Sequence, residues 1–158
     1  MSYCKAILYQ IRDLMYLKKT MLKNIKIGKK CRISKTAILE PLQGFIQIGD
    51  NCTINHFCVL YGSGGLVIGH CCRIATHTVI IGENHIYKDP NVPIYKQGKE
   101  IVGIKIGNDC WIGCNCSIIA GAELGDGCVV GAGSVVNKKF PPYSVIVGSP
   151  AKIISMRK

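Results

Sequence analysis

A six-residue period marks this chain as all-β: a parallel β-helix in which three short strands per turn stack into a triangular prism. Three observations carry that expectation. Aliphatic residues recur in unbroken register at Ile106, Ile112, Ile118, Leu124, Val130 and Val136, and the same spacing joins Ile27, Ile33 and Leu39, then Ile48, Ile54 and Leu60, then Ile68, Ile74 and Ile80. These make about fifteen hexads, or roughly five coils of three. Second, the residue four after each aliphatic points to the same interior face by the period-two rule. Those positions read Cys31, Ala37, Cys52, Cys58, Gly64, Cys72, Thr78, Cys110, Cys116, Ala122, Cys128 and Ser134, all small. A narrow triangular interior holds one bulky side chain per side per layer, and close packing makes a second costly. Third, glycine follows the aliphatic at Gly28, Gly49, Gly69, Gly107, Gly113, Gly125 and Gly131. A six-residue period fits neither a helix nor a hairpin array, so each unit is a short strand plus a tight corner.

In chain order, residues 1–22 come first, with Ile7, Leu8, Ile11, Leu14 and Met15 at helical spacing. Lys5, Arg12, Asp13, Lys18 and Lys19 interrupt them, so this segment is expected to be a short docking helix rather than a membrane span or signal peptide. A cytoplasmic protein is the corresponding expectation. Residues 23–155 are the β-helix domain. Its hexads are interrupted by surplus residues near Pro41, at Gly62 to Gly65, and most of all between Ile80 and Ile106. The last surplus is a loop extruded at about 83–103. A long loop leaving a regular solenoid is where function concentrates, and this one opens with Asn84-His85.

Cysteine and charge narrow the function classes. Seven of the ten cysteines occupy small interior positions, where a thiol acts as a small hydrophobe, so structural packing is expected in place of zinc sites or disulfides. The net charge is +11, with ten of twenty basic residues in positions 1–40 and five more, with no acid, from Lys138 to Lys158. Anionic partners are favoured. No Arg-rich helix, zinc-finger spacing or aromatic RNA-binding strand accompanies the charge, so no nucleic-acid function is expected. A phosphorylated cofactor or an anionic surface fits better, and peripheral membrane association is the second of these.

Four segments in order carry a resemblance: Asn84-His85 with its Lys88-Asp89-Pro90 to Pro93-Ile94 loop, Ile106-Gly107-Asn108-Asp109-Cys110-Trp111-Ile112-Gly113, Gly131-Ala132-Gly133-Ser134-Val135-Val136, and Gly148-Ser149-Pro150-Ala151-Lys152. With them, residues 27 to 155 resemble the hexapeptide-repeat acyltransferases, in particular galactoside and maltose O-acetyltransferases and the O-acetyltransferases of bacterial surface polysaccharides. The resemblance implies a left-handed β-helix, an exception to the right-handed crossover rule. It also implies a homotrimer with sites in the clefts between prisms, and acetyl-CoA as co-substrate with no metal. The pantetheine arm would lie along Trp111, Cys114 and Ala132, and the coenzyme phosphates near Asn137, Lys138 and Lys152. Cys114 stands where relatives often have Ser or Ala, and Lys152 where they often have Arg, which would weaken a bidentate phosphate contact.

Acetyl transfer from a thioester needs an acceptor nucleophile, a base for its proton and a donor for the oxyanion. His85 is the expected base, since imidazole can take the hydroxyl proton and pass it to the departing thiolate. Asn84 is expected to orient the acceptor, Glu83 or a backbone carbonyl to fix the tautomer of His85, and a backbone N–H near Cys114 to face the oxyanion. His77 projects outward, either to line the cleft beside His85 or as a solvated residue. Trp111 packs either the trimer interface or the pantetheine; Tyr87 and Tyr95 are either sugar platforms or loop closures. His56 and His70 are read as surface residues.

The reading is therefore an acetyl-CoA-dependent O-acetyltransferase acting on a sugar or polysaccharide-precursor hydroxyl. Its alternatives are an amino-sugar N-acetyltransferase or a serine O-acetyltransferase. Further off stand a γ-carbonic-anhydrase-like hydratase using His70, His77 and His85, and a non-catalytic structural trimer.

Overall fold

The computed structural model describes residues 23–158; the helix expected over 1–22, with Cys4, lies outside the described residues. The chain winds as a left-handed β-helix. The first coil is β1 (Ile25–Ile27), β2 (Arg32–Ile33) and β3 (Ile38–Glu40), the second β4 (Ile46–Ile48), β5 (Thr53–Ile54) and β6 (Val59–Tyr61), and the third β7 (Leu66–Ile68), β8 (Arg73–Ile74) and β9 (Val79–Ile81). A hairpin of β10 (Glu83–His85) and β11 (Lys99–Ile101), with a one-turn helix α1 (Ile94–Gln97) at its tip, then leaves the prism. The fourth coil is β12 (Ile104–Ile106), β13 (Trp111–Ile112) and β14 (Ser117–Ile119), and the fifth β15 (Glu123–Leu124), β16 (Val129–Val130) and β17 (Val135–Val136). β18 (Lys139–Phe140) and β19 (Ser144–Gly148) begin a sixth turn, which β20 (Ala151–Met156) closes by folding back antiparallel on β19.

The three faces are a six-stranded sheet β1-β4-β7-β12-β15-β18, a seven-stranded sheet β2-β5-β8-β13-β16-β19-β20 and a five-stranded sheet of β3, β6, β9, β14 and β17. Pairing is parallel and in register, with Ile54 over Ile33, Ile74 over Ile54 and Ile112 over Ile74. From the second coil up the predicted aliphatic column is the core, with Ile48, Ile54, Leu60, Ile68, Ile74, Ile80, Ile106, Ile112, Ile118, Leu124, Val130 and Val136 all buried; in the first coil Ile33 and Leu39 are only partly buried and Ile27, expected inside, is 49% exposed. The column continues past Val136, where the hexad register slips, through Phe140 and Ile146.

The corners explain how so short a period closes. The corner between the first and second faces carries a left-handed residue at Asn51, Cys71 and Asp109, and the corner between the second and third faces at Phe57, His77 and Asn115, with φ between 53° and 62°. One such residue turns the chain sharply onto the next face.

The small-partner rule fails on the first face. Ile46 and Leu66 at 0% and Ile104 at 3% exposure stand beside the buried aliphatics, whereas the predicted interior Gly64 is exposed and Leu66 fills its slot. All the surplus residues fall at the corner between the third and first faces, just before β4, β7 and β12. Extra contour there widens the layer enough for a second bulky side chain. The fifth coil has no surplus, and its partner is Ala122.

Six interior cysteines, Cys52, Cys58, Cys72, Cys110, Cys116 and Cys128, are buried and free, and Cys31 is partly buried. Burial raises the Cys58 and Cys116 thiols above their ordinary range, and thiol–thiol hydrogen bonding up the column pushes Cys72 and Cys110 to about 12. These four thiols stay protonated and unreactive, whereas the bond from Cys110 holds the Cys128 thiol down at about 7.

Outside, the faces differ. The first displays Lys26, Gln47, Lys105, Glu123 and Lys139, the last two paired at 3.0 Å, with Val67 its one apolar member. The third displays Ile38, Val59, Tyr61, Val79, Ile81, Ile119 and Val135, with Glu40 and Ser117 its polar exceptions. Among the described residues no helix is long and apolar enough to cross a membrane.

Candidate active site

The hairpin that carries Asn84 and His85 grows from the glycine-lined corner between the third and first faces. An added Cβ at Gly82 or Gly103 would collide with the carbonyl of Ser63 or Gly64, so only glycine lets the two strands leave side by side. The register pairs Glu83 with Ile101, Asn84 with Glu100 and His85 with Lys99. A cavity of about 750 Å³ opens against this ribbon, lined by Asn84, His85, Ile86, Tyr87, Lys88 and Glu100.

Glu83 pins the ribbon to the prism. Its side chain is only 11% exposed; one carboxylate oxygen accepts from the fully buried Ser63 hydroxyl at 2.7 Å and the other pairs with Lys99 Nζ at 2.5 Å. The Lys99 ammonium, then the Ser63 hydroxyl, hold the carboxyl below its ordinary range. Each oxygen thus has a partner on or beside the prism, and among the described hydrogen bonds none joins Glu83 to His85; Glu83 ties the strand down. At the tip, Gln97 donates to the Asp89 and Val92 carbonyls at 2.9 and 2.6 Å and accepts from the Asp89 N–H, closing the loop around Pro90. Tyr87 and Tyr95 are 71% and 76% exposed; Tyr87 lines the cavity and Tyr95 sits on α1 outside it.

A second group of expected residues gathers on the other border of the third face. Cys114 and Ala132 stack at the corner between the second and third faces, linked by Gly133 N–H donating to the Cys114 carbonyl at 2.9 Å. Gly113 lies so close to the Ala132 backbone that an added Cβ would come within 2.6 Å of its nitrogen. His77 lies one coil below, where Asn115 N–H donates to the Thr76 carbonyl at 3.1 Å. Trp111, 56% exposed on the second face, stands in register between Arg73 and Val129. Lys152, second in β20, lies opposite Val147 above the same corner. Asn137 and Lys138 are exposed between β17 and β18, on the hairpin's border of the third face rather than with Cys114.

Within one protomer the expected site is thus two half-sites separated by the apolar third face. His70, His77 and His85 fall at three different corners, and among the described residues no three His, Cys, Asp or Glu side chains gather as a metal would require. Sequence reasoning missed Ser63 and Lys99, which nothing periodic ties to Glu83. It also missed Phe57, which the hexad register does reveal: Phe57, His77, Asn115 and Gly133 each stand three residues after a second-face aliphatic.

Comparison with known proteins adds four findings. The family profile described as bacterial transferase hexapeptide (six repeats) matches residues 103–138. A Mycobacterium tuberculosis protein whose name assigns it to the acetyltransferases is 31% identical over 87% of this chain and 46% of its own length. An Escherichia coli protein whose name assigns it to O-acetyl transfer in lipopolysaccharide biosynthesis is 34% identical over 71% of this chain and 61% of its own. The chain thus spans about half the length of these curated relatives. Among solved structures, galactoside acetyltransferase in complex with coenzyme A superimposes with a TM-score of 0.75 and 26% identity, covering 88% of this chain and 68% of that one.

Proposed function

We propose that the chain is a hexapeptide-repeat transferase, an acetyl-CoA-dependent O-acetyltransferase whose acceptor is a sugar hydroxyl. The observation that carries the proposal is the Asn84-His85 pair opening onto the hairpin cavity, in a chain similar throughout its coils to an enzyme seen with coenzyme A. The E. coli relative's part in lipopolysaccharide biosynthesis supports a surface-glycan acceptor.

The two half-sites favour a cyclic trimer. A head-to-tail interface that closes on itself brings one border of each third face against the opposite border of the next. Packed this way, the apolar third face is buried. His85 of one subunit then meets Trp111, Cys114 and Ala132 of its neighbour, and His77 lies across the cleft from His85. Coenzyme phosphates fall to Lys138 and Lys152 with Asn137, in keeping with the net charge of +11.

In the reaction, the acceptor hydroxyl oxygen attacks the thioester carbonyl carbon while His85 takes its proton. Asn84 holds the acceptor. A backbone N–H at the Cys114 corner donates to the oxyanion; collapse breaks the C–S bond, and His85 returns the proton to the departing thiolate. A cytoplasmic site suits this chemistry, since acetyl-CoA is made there.

Calorimetric titration of the purified chain with acetyl-CoA and with CoA tests the proposal. Saturable binding at one site per chain, by a species of trimer mass in light scattering, is expected. A folded chain that binds neither ligand overturns the activity, and a stable monomer that still turns over removes the intersubunit site.

A further inference from the structure

The corner that bears Cys114 and Ala132 continues downward into the first three coils, and there it changes character. In the third coil Thr76 Oγ1 lies 3.1 Å from His77 Nδ1 and donates to the His56 carbonyl at 2.7 Å. In the second coil Phe57 stacks on His77, ring centroids 5.1 Å apart and 25° between planes. Below them, His56 Nδ1 lies 2.9 Å from Ser34 Oγ and 3.2 Å from Thr36 Oγ1, and those two hydroxyls are 3.0 Å apart.

Phe57 is the feature that core packing does not explain. Its φ is +58°, a backbone region costly for a bulky side chain, and its ring is 54% exposed. A residue that pays conformational strain without gaining burial points to a contact outside the protomer. The equivalent corner positions in the next three coils are His77, which stacks on Phe57, and then Asn115 and Gly133, residues that suit a left-handed backbone. The surroundings state which contact. One face of the ring is covered by His77, the rim is hydroxyl and imidazole, and no charged side chain takes part in the cluster. Aromatic floor with a neutral hydrogen-bonding rim is the chemistry that recognises a sugar ring, whose C–H face stacks and whose hydroxyls donate and accept.

We propose that this corner is the acceptor subsite: Phe57 stacked on His77 carries a pyranose ring, and the Ser34, Thr36 and His56 cluster engages the next sugar unit. From the fourth coil down to the first is three strand spacings, about 14 Å, longer than one sugar ring. The acceptor is therefore a glycan of at least two units, acetylated on the unit nearer His77. This inference rests on the reading that coenzyme lies along the same corner at Cys114 and Ala132.

Saturation-transfer NMR on the full chain with CoA added tests it, using mono-, di- and tetrasaccharides of neutral and amino hexoses as probes, with dTMP as a base-bearing control. Ring contact is read independently of turnover. Oligosaccharides are expected to bind about tenfold more tightly than their monosaccharide units, Phe57→Ala to lose about tenfold, and Phe57→Tyr to retain binding. Ser34→Ala should weaken the oligosaccharides and leave the monosaccharides unchanged. The inference is overturned if no saccharide shows transfer, if dTMP alone does, if Phe57→Ala binds like the parent, or if its loss accompanies dissociation of the trimer, which would make Phe57 a subunit contact. Calorimetry with CoA on the same samples separates the two readings: no coenzyme binding defeats the acetyltransferase, whereas coenzyme binding without saccharide contact defeats this inference alone.

Discussion

In the middle coils, interior side chains are clasped by the layers above and below; in the hairpin of residues 83–103, no residue is buried, and the described side-chain hydrogen bond that ties it to the prism runs through Glu83. The coils owe their geometry to many equivalent contacts, so any one of them is partly redundant in setting shape though not in stability. The hairpin owes its placement to a few polar contacts, each with its own consequence. Stability and chemistry should therefore separate along this boundary, with coil substitutions lowering stability and hairpin substitutions lowering turnover.

The largest expected effect is on the hairpin side. His85→Ala should lower turnover by about 10²–10⁴-fold with the melting temperature unchanged, because the side chain is exposed and packs no layer. A variant that keeps full turnover removes His85 as the base; one that loses both activity and melting temperature breaks the separation. The opposite pattern is expected of Ile80→Ala. Ile80 is 0% exposed, between Leu60 and Ile118 in adjacent layers. Chemical denaturation should show a loss of about 2–5 kcal/mol, while the remaining folded protein keeps its affinity for CoA.

Glu83→Gln sharpens the boundary, since Glu83 belongs to both regions. Its carboxyl is held below the ordinary range by Lys99 and Ser63, so the charged pair stabilises the folded hairpin above the carboxyl's unfolded pKa. That contribution is lost as pH falls through the lower, folded value. Hydrogen exchange should show hairpin amides of the parent losing protection in that acid window while coil amides keep theirs. In Glu83→Gln the hairpin should already be less protected at neutral pH, by about three- to tenfold, on the order of 1 kcal/mol, with no acid-dependent step. Uniform loss of protection across hairpin and coils would mean that the pin is part of the core.

This asymmetry also decides what a sequence can reveal. The coils were legible because their constraint is periodic: Ile106 to Val136 repeats one steric demand, and the αL corners repeat another. Ile46, Leu66 and Ile104 escaped because their slot exists only where a non-periodic surplus widens the corner. The hairpin was legible as an interruption, and Asn84-His85 as its opening. Its anchoring was not, because Ser63, Glu83 and Lys99 meet through a crossing of the chain that no local spacing encodes. Phe57 lay between these cases, its position given by the repeat and its stacking on His77 only by the folded corner.

The smallest expected effect tests the coils' redundancy where chemistry is most tempting to invoke, in the thiol columns. Cys58 Sγ donates to the Ala75 carbonyl one coil up at 3.0 Å, and directly above it Thr78 Oγ1 donates in the same way to the Gly113 carbonyl at 2.9 Å. Higher in the column Ser134 donates to Gly131 at 2.7 Å. The column therefore already accepts a hydroxyl wherever a carbonyl lies within reach. Cys58→Ser should keep that hydrogen bond and lose only the larger apolar sulfur, costing about 1 kcal/mol in denaturant titration with turnover unchanged. Metal analysis by mass spectrometry should find the same absence of stoichiometric zinc in parent and variant. Zinc present in the parent and lost with the thiol would show that the cysteines are ligands, and the coils would then owe part of their stability to a specific site instead of to repetition.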